Sequence, residues 1–416
     1  LKTIKEINEK IRKGEAIILT AKEFCDMIRK GEKIKDVDVV TTATCGIMSG
    51  TMAVFSFKIA EKGVFIKAKE VLMNGIPVFP GPCPNERIGY IDVVLYGPSV
   101  SIYNEKYGGG ELIKDLIDGK YIDVYVKSIE GKEIEDRINL NNMIYAKIIT
   151  TRSCYKNYMA FINPREESIR TIFSVIPMKK NMITVSGCGE LNPLEKDPLF
   201  KTIGIGSKIL VNKAIGYVIG TGTRSVRERP NLSLCANIKE MSSYFIGQFI
   251  TSFGPEIYNT IAIPIPILNE EILNNVKRTD IDIILPIADV YDRSILDYSN
   301  YANVWQGTDI EVKYYEDICK NCKIDPCPVS LYCPTRAFNN RVLNKSLCFE
   351  CGTCTWLCPN GAFKANLGKI KFKDREIPIS SRLSCLKKAE ILANYLKSII
   401  EKGEFYLNEP SDKILI

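Results

Sequence analysis

The sequence predicts a mixed α/β or α+β core, accompanied near its C-terminal end by a small cysteine-rich α+β module. Three observations predict this class. Strand-like and helical patterns intermingle without the regular βαβ alternation of a doubly wound sheet. Eight cysteines, in two runs each closed by Cys-Pro, fall within residues 319–359. Beyond them an amphipathic helical pattern resumes. A chain of 416 residues has room for two or three such units and a sizeable core.

Taken in order, Thr3 to Lys13 spaces Ile4, Ile7 and Ile11 along one helical face. Glu15–Leu19 reads as a short strand. Thr20 caps a second helix, Glu23 completes a capping box, and Gly31 ends it. Val37–Val40 reads as a strand running into a loop, Thr41–Gly50. Ile91–Tyr96 is a further strand, and Gly108, Gly109 and Gly110 open an amphipathic helix, Glu111–Ile117. Tyr121–Ser128 and Ile134–Leu140 flank Glu130-Gly131 as a hairpin. Glycine-punctuated apolar segments follow at Ile183–Ser186, Thr202–Leu210, Ala214–Ile219 and Ile281–Leu285. Gly204-x-Gly206 and Gly220-x-Gly222 read as tight turns, because neither sits in a dinucleotide-binding βαβ frame. Ile379–Glu401 reads as a long amphipathic helix stopped by Gly403.

Composition narrows the function. Hydrophobic residues at 45% and charged residues at 25% are ordinary for a soluble globular chain. The net charge of +7 is spread among acidic residues, which argues against a nucleic-acid partner and allows a small anionic substrate. The longest apolar run, around Ile261–Leu268, is broken by Pro264 and Pro266, so no membrane span is expected. The opening Leu1–Glu6 lacks an apolar signal region, and the expected location is cytoplasmic. Fifteen cysteines without a secretion signal read as metal ligands or reactive thiols. There are no histidines. Imidazole bases, imidazole metal ligands and Ser-His or Cys-His pairs are thereby excluded.

Cys348-x2-Cys351-x2-Cys354-x3-Cys358-Pro359 is the ligand run of two-cluster ferredoxins. Three thiolates from one tight loop hold three corners of a cubane, and the fourth, turned away by the proline, serves the other cluster. A looser copy lies upstream: Cys319-x2-Cys322-x4-Cys327-x5-Cys333-Pro334. Residues 313–368 are therefore expected to form a ferredoxin-like module with two 4Fe-4S clusters. One would use Cys319, Cys322, Cys327 and Cys358, the other Cys348, Cys351, Cys354 and Cys333. Two zinc sites are the competing reading, disfavoured by the paired Cys-Pro endings. A complete thiolate shell leaves no open iron, so these clusters are expected to relay electrons.

Of the remaining cysteines, Cys25 reads as a buried small hydrophobe, and Cys154, Cys235 and Cys385 as structural. Cys45, Cys83 and Cys188 lie in Gly- or Pro-rich segments: Thr44-Cys45-Gly46, Gly81-Pro82-Cys83-Pro84 and Gly187-Cys188-Gly189-Glu190. Loops at strand ends expose thiols and offer N–H donors that favour thiolates. One of the three could carry sulfur as a persulfide. Alternatively they bind a third 4Fe-4S cluster, or are simply buried.

Several stretches outside the module resemble the archaeal homocysteine-biosynthesis (aspartate-semialdehyde sulfurtransferase) family. They are Thr3–Ile11, Val39-Val-Thr-Thr-Ala-Thr44, Gly108–Gly110, Gly189-Glu-Leu-Asn-Pro-Leu194, Thr202–Gly206, Gly216–Thr223 and Glu401–Pro410. The last of these resembles the family core, so the module is an insertion between residues 1–312, a sulfur-incorporation core, and residues 369–416, a segment and helix returning to it. An insert of this kind is similar to the methanogenesis marker 16 metalloproteins. The resemblance implies replacement of an aldehyde oxygen by sulfur and reduction to a thiol, with Cys45, Cys83 and Cys188 as catalytic candidates. It implies three partners: a small anionic aldehyde, a sulfide or persulfide donor, and an external electron donor. It leaves open a homo-oligomer. The family pattern has a cysteine after the Gly-x-Met that corresponds to Gly46-Ile47-Met48, where this chain has Ser49. Its nearby histidine and its cysteine after the Gly-Gly-Gly helix are also missing. A shifted substrate follows: sulfoacetaldehyde, giving coenzyme M, is favoured over aspartate semialdehyde, giving homocysteine. Gly108, Gly109 and Gly110 at a helix N-terminus, and Arg224 with Arg227, are the expected anion-binding groups. From a different class, the chain could be a non-catalytic electron carrier or sulfur-delivery subunit.

Overall fold

Side-chain caps set the first two helices. In the computed structural model, which describes residues 1–34, 36–81 and 86–415, Thr3 caps Ile4–Lys13 and Thr20 caps Ala21–Arg29. Each closes a capping box, with Glu6 and Glu23 respectively. Ile4, Ile7 and Ile11 are buried together, as their spacing predicts.

Among the described residues, fourteen strands make one large sheet and six make a second. The fold is mixed α/β, with helices packed among both. Within the large sheet, Val39–Ile47 lies parallel to Ile18–Thr20 and antiparallel to Gly254–Pro266. The sequence reading stopped this strand at Val40 and placed Thr41–Gly50 in a loop; the strand instead runs on to Ile47. Its β-branched residues suit a pleated backbone. Both of its faces are covered: Val40 and Met48 join one core, while Val39, Ala43 and Cys45 join another. A strand buried on both sides shows no alternation, so its end cannot be read from period two.

The second sheet runs in the order Ile295–Asn300, Ile284–Asp289, Ala160–Ile162, Ile183–Val185, Arg375–Arg382 and Lys369–Phe372. Its last two strands come from beyond the cysteine runs. Residues 379–382, read as the start of a long helix, therefore belong to a strand. The helix begins later, at Leu386–Glu401, where the Cys385 Sγ accepts the Lys388 N–H at 3.5 Å. Leu392 and Leu396 are buried as this helix packs over Val39–Ile47, and Thr41 Oγ1 donates to Ala393 O at 2.9 Å.

Between the sheets' last strands the cysteine-rich residues form a small unit of their own. Lys313–Tyr314 pairs with Phe363–Lys364, and Phe338–Asn339 with Val342–Leu343. Three short helices, Glu316–Lys320, Pro328–Tyr332 and Cys354–Leu357, complete it. Its core is slight: Val312, Cys319, Val329, Phe338, Ala362 and Phe363. Docking is by hydrogen bonds that cross to the main body. Arg382 N donates to Cys351 O at 2.8 Å, Thr353 Oγ1 to Ser381 Oγ at 2.8 Å, and Ile250 N to Pro334 O at 2.8 Å. Among the described residues no helix is long and apolar enough to cross a membrane.

Candidate functional site

The strand Val39–Ile47 carries Cys45 to the place where three chain segments meet. Gly46 forms an isolated antiparallel bridge with Ser384, so Cys45 and Cys385 face each other across it. Cys385 N donates to Cys45 O at 3.0 Å. The absence of a side chain at Gly46 permits this approach, since a Cβ would lie 3.0 Å from Ser384 Oγ and 3.3 Å from Leu383 O. Cys188 enters from the third segment, its Sγ 3.4 Å from Cys45 N and 3.6 Å from Cys45 O. The glycines around it are obligatory. Gly187 has φ +127° and Gly189 φ +56°, and a Cβ on Gly189 would sit 2.1 Å from Asp280 Oδ1.

Cys45, Cys188 and Cys385 are all buried. Burial, with the hydrogen bond it gives Cys385, holds the Cys45 thiol well above the ordinary range. Burial acts on Cys385 too, but the Cys45 hydrogen bond and the Lys388 ammonium outweigh it and bring that thiol below its usual value. Burial pushes Cys188 up to about 12. Lys388 is itself buried; its Nζ donates to Tyr244 O at 2.7 Å and Ser346 O at 3.4 Å and lies 3.7 Å from the Tyr244 ring centroid. Burial lowers its pKa, and these partners offset a desolvation cost of several kcal/mol.

Beside this group lies a cavity of ≈ 360 Å³. Thr44 and Gly46–Gly50 form one wall, and Ser186, Gly187, Leu383 and Ser384 another. Arg152, Arg224, Arg293 and Cys154 are among its lining residues, and among the described residues no Asp or Glu lines it. Behind Ser49 stands Glu256, buried and raised in pKa by burial; its Oε2 has no partner among the described residues. Burial also raises the Cys154 thiol.

The structure thus unites Cys45 with Cys188 and adds Cys385 and Cys154, both of which the sequence reading had taken as structural. Neither has a glycine-rich signal. Cys154 could have been suspected from Arg152 two residues earlier; Cys385 has no local mark at all. Cys83 lies outside the described residues. Arg224 reaches the cavity, whereas Arg227 is exposed and is not among its lining residues. Gly108, Gly109 and Gly110 do open the helix Gly109–Ile117, but against protein: Gly108 N donates to Gln248 Oε1 at 2.7 Å and Gly109 N to Ser99 O at 2.8 Å. Cys25 is buried but not a mere hydrophobe, since Lys196 Nζ donates to its Sγ at 3.2 Å. Cys235 is half-buried on the Leu232–Asn237 strand.

In the module, Cys333, Cys348, Cys351 and Cys354 line one small apolar cavity together with Val329, Phe338 and Phe363. Glu350 (φ +56°) and Gly352 (φ +79°) curl the loop so that its three cysteines face inward. Amide groups already point at sulfur: Glu350 N lies 3.4 Å from Cys348 Sγ and Ala362 N 3.4 Å from Cys358 Sγ. Among the described residues no three Cys, Asp or Glu side chains are drawn together tightly enough for a single ion. A cubane differs from an ion here because it holds its thiolates apart by its own width. Cys333, Cys348, Cys351 and Cys354 meet that requirement in donor type and in lining one cavity. Of Cys45, Cys83 and Cys188, the set read as a third cluster site, only Cys45 and Cys188 fall among the described residues, where they lie together.

The structure is thus a mixed α/β body with neighbouring buried thiols, an arginine-lined cavity and a docked cysteine-rich unit. The chain belongs to the family described as homocysteine biosynthesis enzyme, sulfur-incorporation, which matches residues 16–407. An uncharacterized protein of Methanocaldococcus jannaschii is 42% identical over 400 residues, 94% of this chain and 99% of its own. One from Methanothermobacter thermautotrophicus is 41% identical over 409 residues, 97% of this chain and 94% of its own. The L-aspartate semialdehyde sulfurtransferase of M. jannaschii is 35% identical over 327 residues, 74% of this chain and 63% of its own. No solved structure matches the chain.

Proposed function

We propose that the protein replaces the carbonyl oxygen of a small anionic aldehyde with sulfur and reduces the product to a thiol. The observation that carries this reading is the cavity in which one thiol, Cys154, and three arginines, Arg152, Arg224 and Arg293, converge with no Asp or Glu in the wall among the described residues. Arginine is suited to planar arrays of oxyanions, so the three would hold the substrate's charged end and leave its aldehyde carbon near Cys154 and the Gly46–Gly50 turn. Sulfide, free or released from a persulfide on one of Cys154, Cys45, Cys83 and Cys188 by two further electrons from the external donor, adds to that carbon. Loss of water then leaves a C=S bond, and two electrons with two protons give CH–SH. No histidine exists to move protons. Glu256, raised in pKa by burial behind Ser49, would pass a proton to the departing hydroxyl through that serine's hydroxyl, since it does not itself line the cavity.

The module would hold two 4Fe-4S clusters, on the cysteine sets inferred from spacing, in a ferredoxin-type arrangement. Loaded there, they would supply single electrons from an external donor. The chain's own part is to fix that module against the cavity through Arg382, Thr353 and Pro334.

For the substrate, the relatives with a named activity favour aspartate semialdehyde and hence homocysteine, which displaces sulfoacetaldehyde from first place. Sulfoacetaldehyde and coenzyme M form the second reading, on one observation: among the described residues no Asp or Glu lines the cavity to pair with an amino group. Anaerobically reconstituted protein, given sulfide, a low-potential reductant and either aldehyde, should release the corresponding thiol. Arg152→Gln should raise KM by roughly 10- to 100-fold, the loss of one charge-assisted contact of about 1.5–3 kcal/mol. Thiol from aspartate semialdehyde alone would eliminate the second reading, and none from either aldehyde would leave only the carrier or sulfur-delivery roles.

A further inference from the structure

Cys45 and Cys385 are brought together from opposite ends of the chain, between the cavity and the module, and nothing in the preceding mechanism needs both. Their backbones are paired by the Gly46–Ser384 bridge and by the Cys385 N to Cys45 O bond at 3.0 Å. Directly opposed residues of that kind stand about 5.5 Å apart at Cα, inside the span of about 4.4–6.8 Å that a disulfide requires. Side chains of directly opposed residues in an antiparallel pair lie on the same face of the ladder, so the two thiols face each other. No strand has to move for an S–S bond to form.

The surroundings of the pair connect it to both neighbours. On the module side, Phe349, the residue between Cys348 and Glu350, packs edge-on against Tyr258 with ring centroids 4.9 Å apart. Tyr258 lies within electrostatic reach of both Cys45 and Cys385. Arg382, three residues before Cys385, holds Cys351 O. On the cavity side, Gly46 and Ser384, the immediate neighbours of the two cysteines, form part of the lining. Gly46, which has no side chain, and Ser384 are what stand between the pair and the cavity. Lys388, whose N–H bonds the Cys385 sulfur, places an ammonium next to it.

We propose that Cys45 and Cys385 are a redox-active dithiol that stores two electrons between the one-electron module and the two-electron reduction in the cavity. This rests on the function proposed above. In the oxidised form one S–S bond joins the two sulfurs. Two single electrons, arriving through the module from a low-potential donor, and two protons break that bond and give two thiols. Lys388 stabilises the first thiolate formed. The Cys385 thiolate, reaching past Gly46, then bonds to the sulfur of the C=S species as a proton goes to its carbon, and the Cys45 thiol displaces the resulting CH–S group from that mixed disulfide, so that CH–SH leaves and the S–S bond re-forms. The arrangement reconciles the electron counts of the two halves of the molecule.

The test uses full-length, iron-loaded protein under anaerobic conditions. After mild oxidation with diamide and blocking of free thiols, peptide mapping should find Cys45 linked to Cys385. Titration against dithiol buffers should give one two-electron couple, absent in Cys385→Ser while its iron–sulfur absorbance is unchanged. Dithionite should reopen the bond at least about ten-fold faster in iron-loaded than in iron-free protein. Cys45 linked to Cys188, no link in wild type, or equal reopening rates would each overturn the proposal. None of these readouts needs an aldehyde. If the link forms and is reopened through the module while no aldehyde reacts, the function proposed above fails and the pair stands; thiol release without the link gives the reverse.

Discussion

At the scale of single residues, buried titratable groups take their character from their neighbours, and Asp280 is an instance. Asp280 and Glu190 exchange hydrogen bonds through their backbones, Asp280 N to Glu190 Oε2 at 3.0 Å and Glu190 N to Asp280 Oδ1 at 2.8 Å. Arg29 grips Glu190 with two bonds, at 2.7 and 2.8 Å. Burial and then the Glu190 charge raise Asp280 to about 7 from its usual 3.8. An acid whose pKa is raised on folding binds its proton more tightly in the native state. Its contribution to stability is therefore complete below about pH 4 and falls as pH rises towards 7. Asp280→Asn should flatten that decline, so the gain in urea midpoint over wild type should be larger at pH 8 than at pH 5. An equal shift at both would show that Asp280 keeps an ordinary pKa. The pattern Gly187-Cys188-Gly189-Glu190 was visible in sequence as a special turn. The partner of Glu190 was not, because Asp280 lies far along the chain in an unremarkable Arg-Thr-Asp-Ile stretch.

At the scale of elements, the first two helices, the hairpin and the Gly-Gly-Gly helix were legible because caps and periodicity are local. The two misreadings share one cause. Val39–Ile47 and Arg375–Arg382 are strands sealed by neighbours distant in sequence, and a covered strand loses the alternation that would announce it. The close passage of Val39–Ile47 against Ser384 can be tested at Gly46. Gly46→Ala places a Cβ 3.0 Å from Ser384 Oγ and 3.3 Å from Leu383 O, so the segments must part. The expected cost is about 1–3 kcal/mol, the usual range for overpacking. Chemical denaturation would measure it, and the same variant should lose the Cys45–Cys385 cross-link. A neutral substitution would mean that the bridge is loose.

Across the whole molecule, a large body with two extensive cores carries a unit whose own core is six residues. So small a core does not hold a fold alone without a metal or similar staple. Removing iron with an oxidant and a chelator should therefore open residues 313–368 to protease while leaving the β-sheet circular dichroism of the body nearly unchanged. Simultaneous loss of both would mean that the two parts fold as one cooperative unit. The sequence by itself determined the mixed α/β class, the family and the boundaries of the cysteine runs. It also excluded imidazole chemistry, which follows from composition alone. All of these depend on composition or on residues near one another along the chain. Only the tertiary structure brought Cys385 to Cys45, set Cys154 and three arginines around one cavity, and turned the Gly108 and Gly109 amides towards Gln248 and Ser99. Such pairings depend on which strand lies beside which, and burial across sheets is specified by the packing of the whole chain rather than by any short pattern within it.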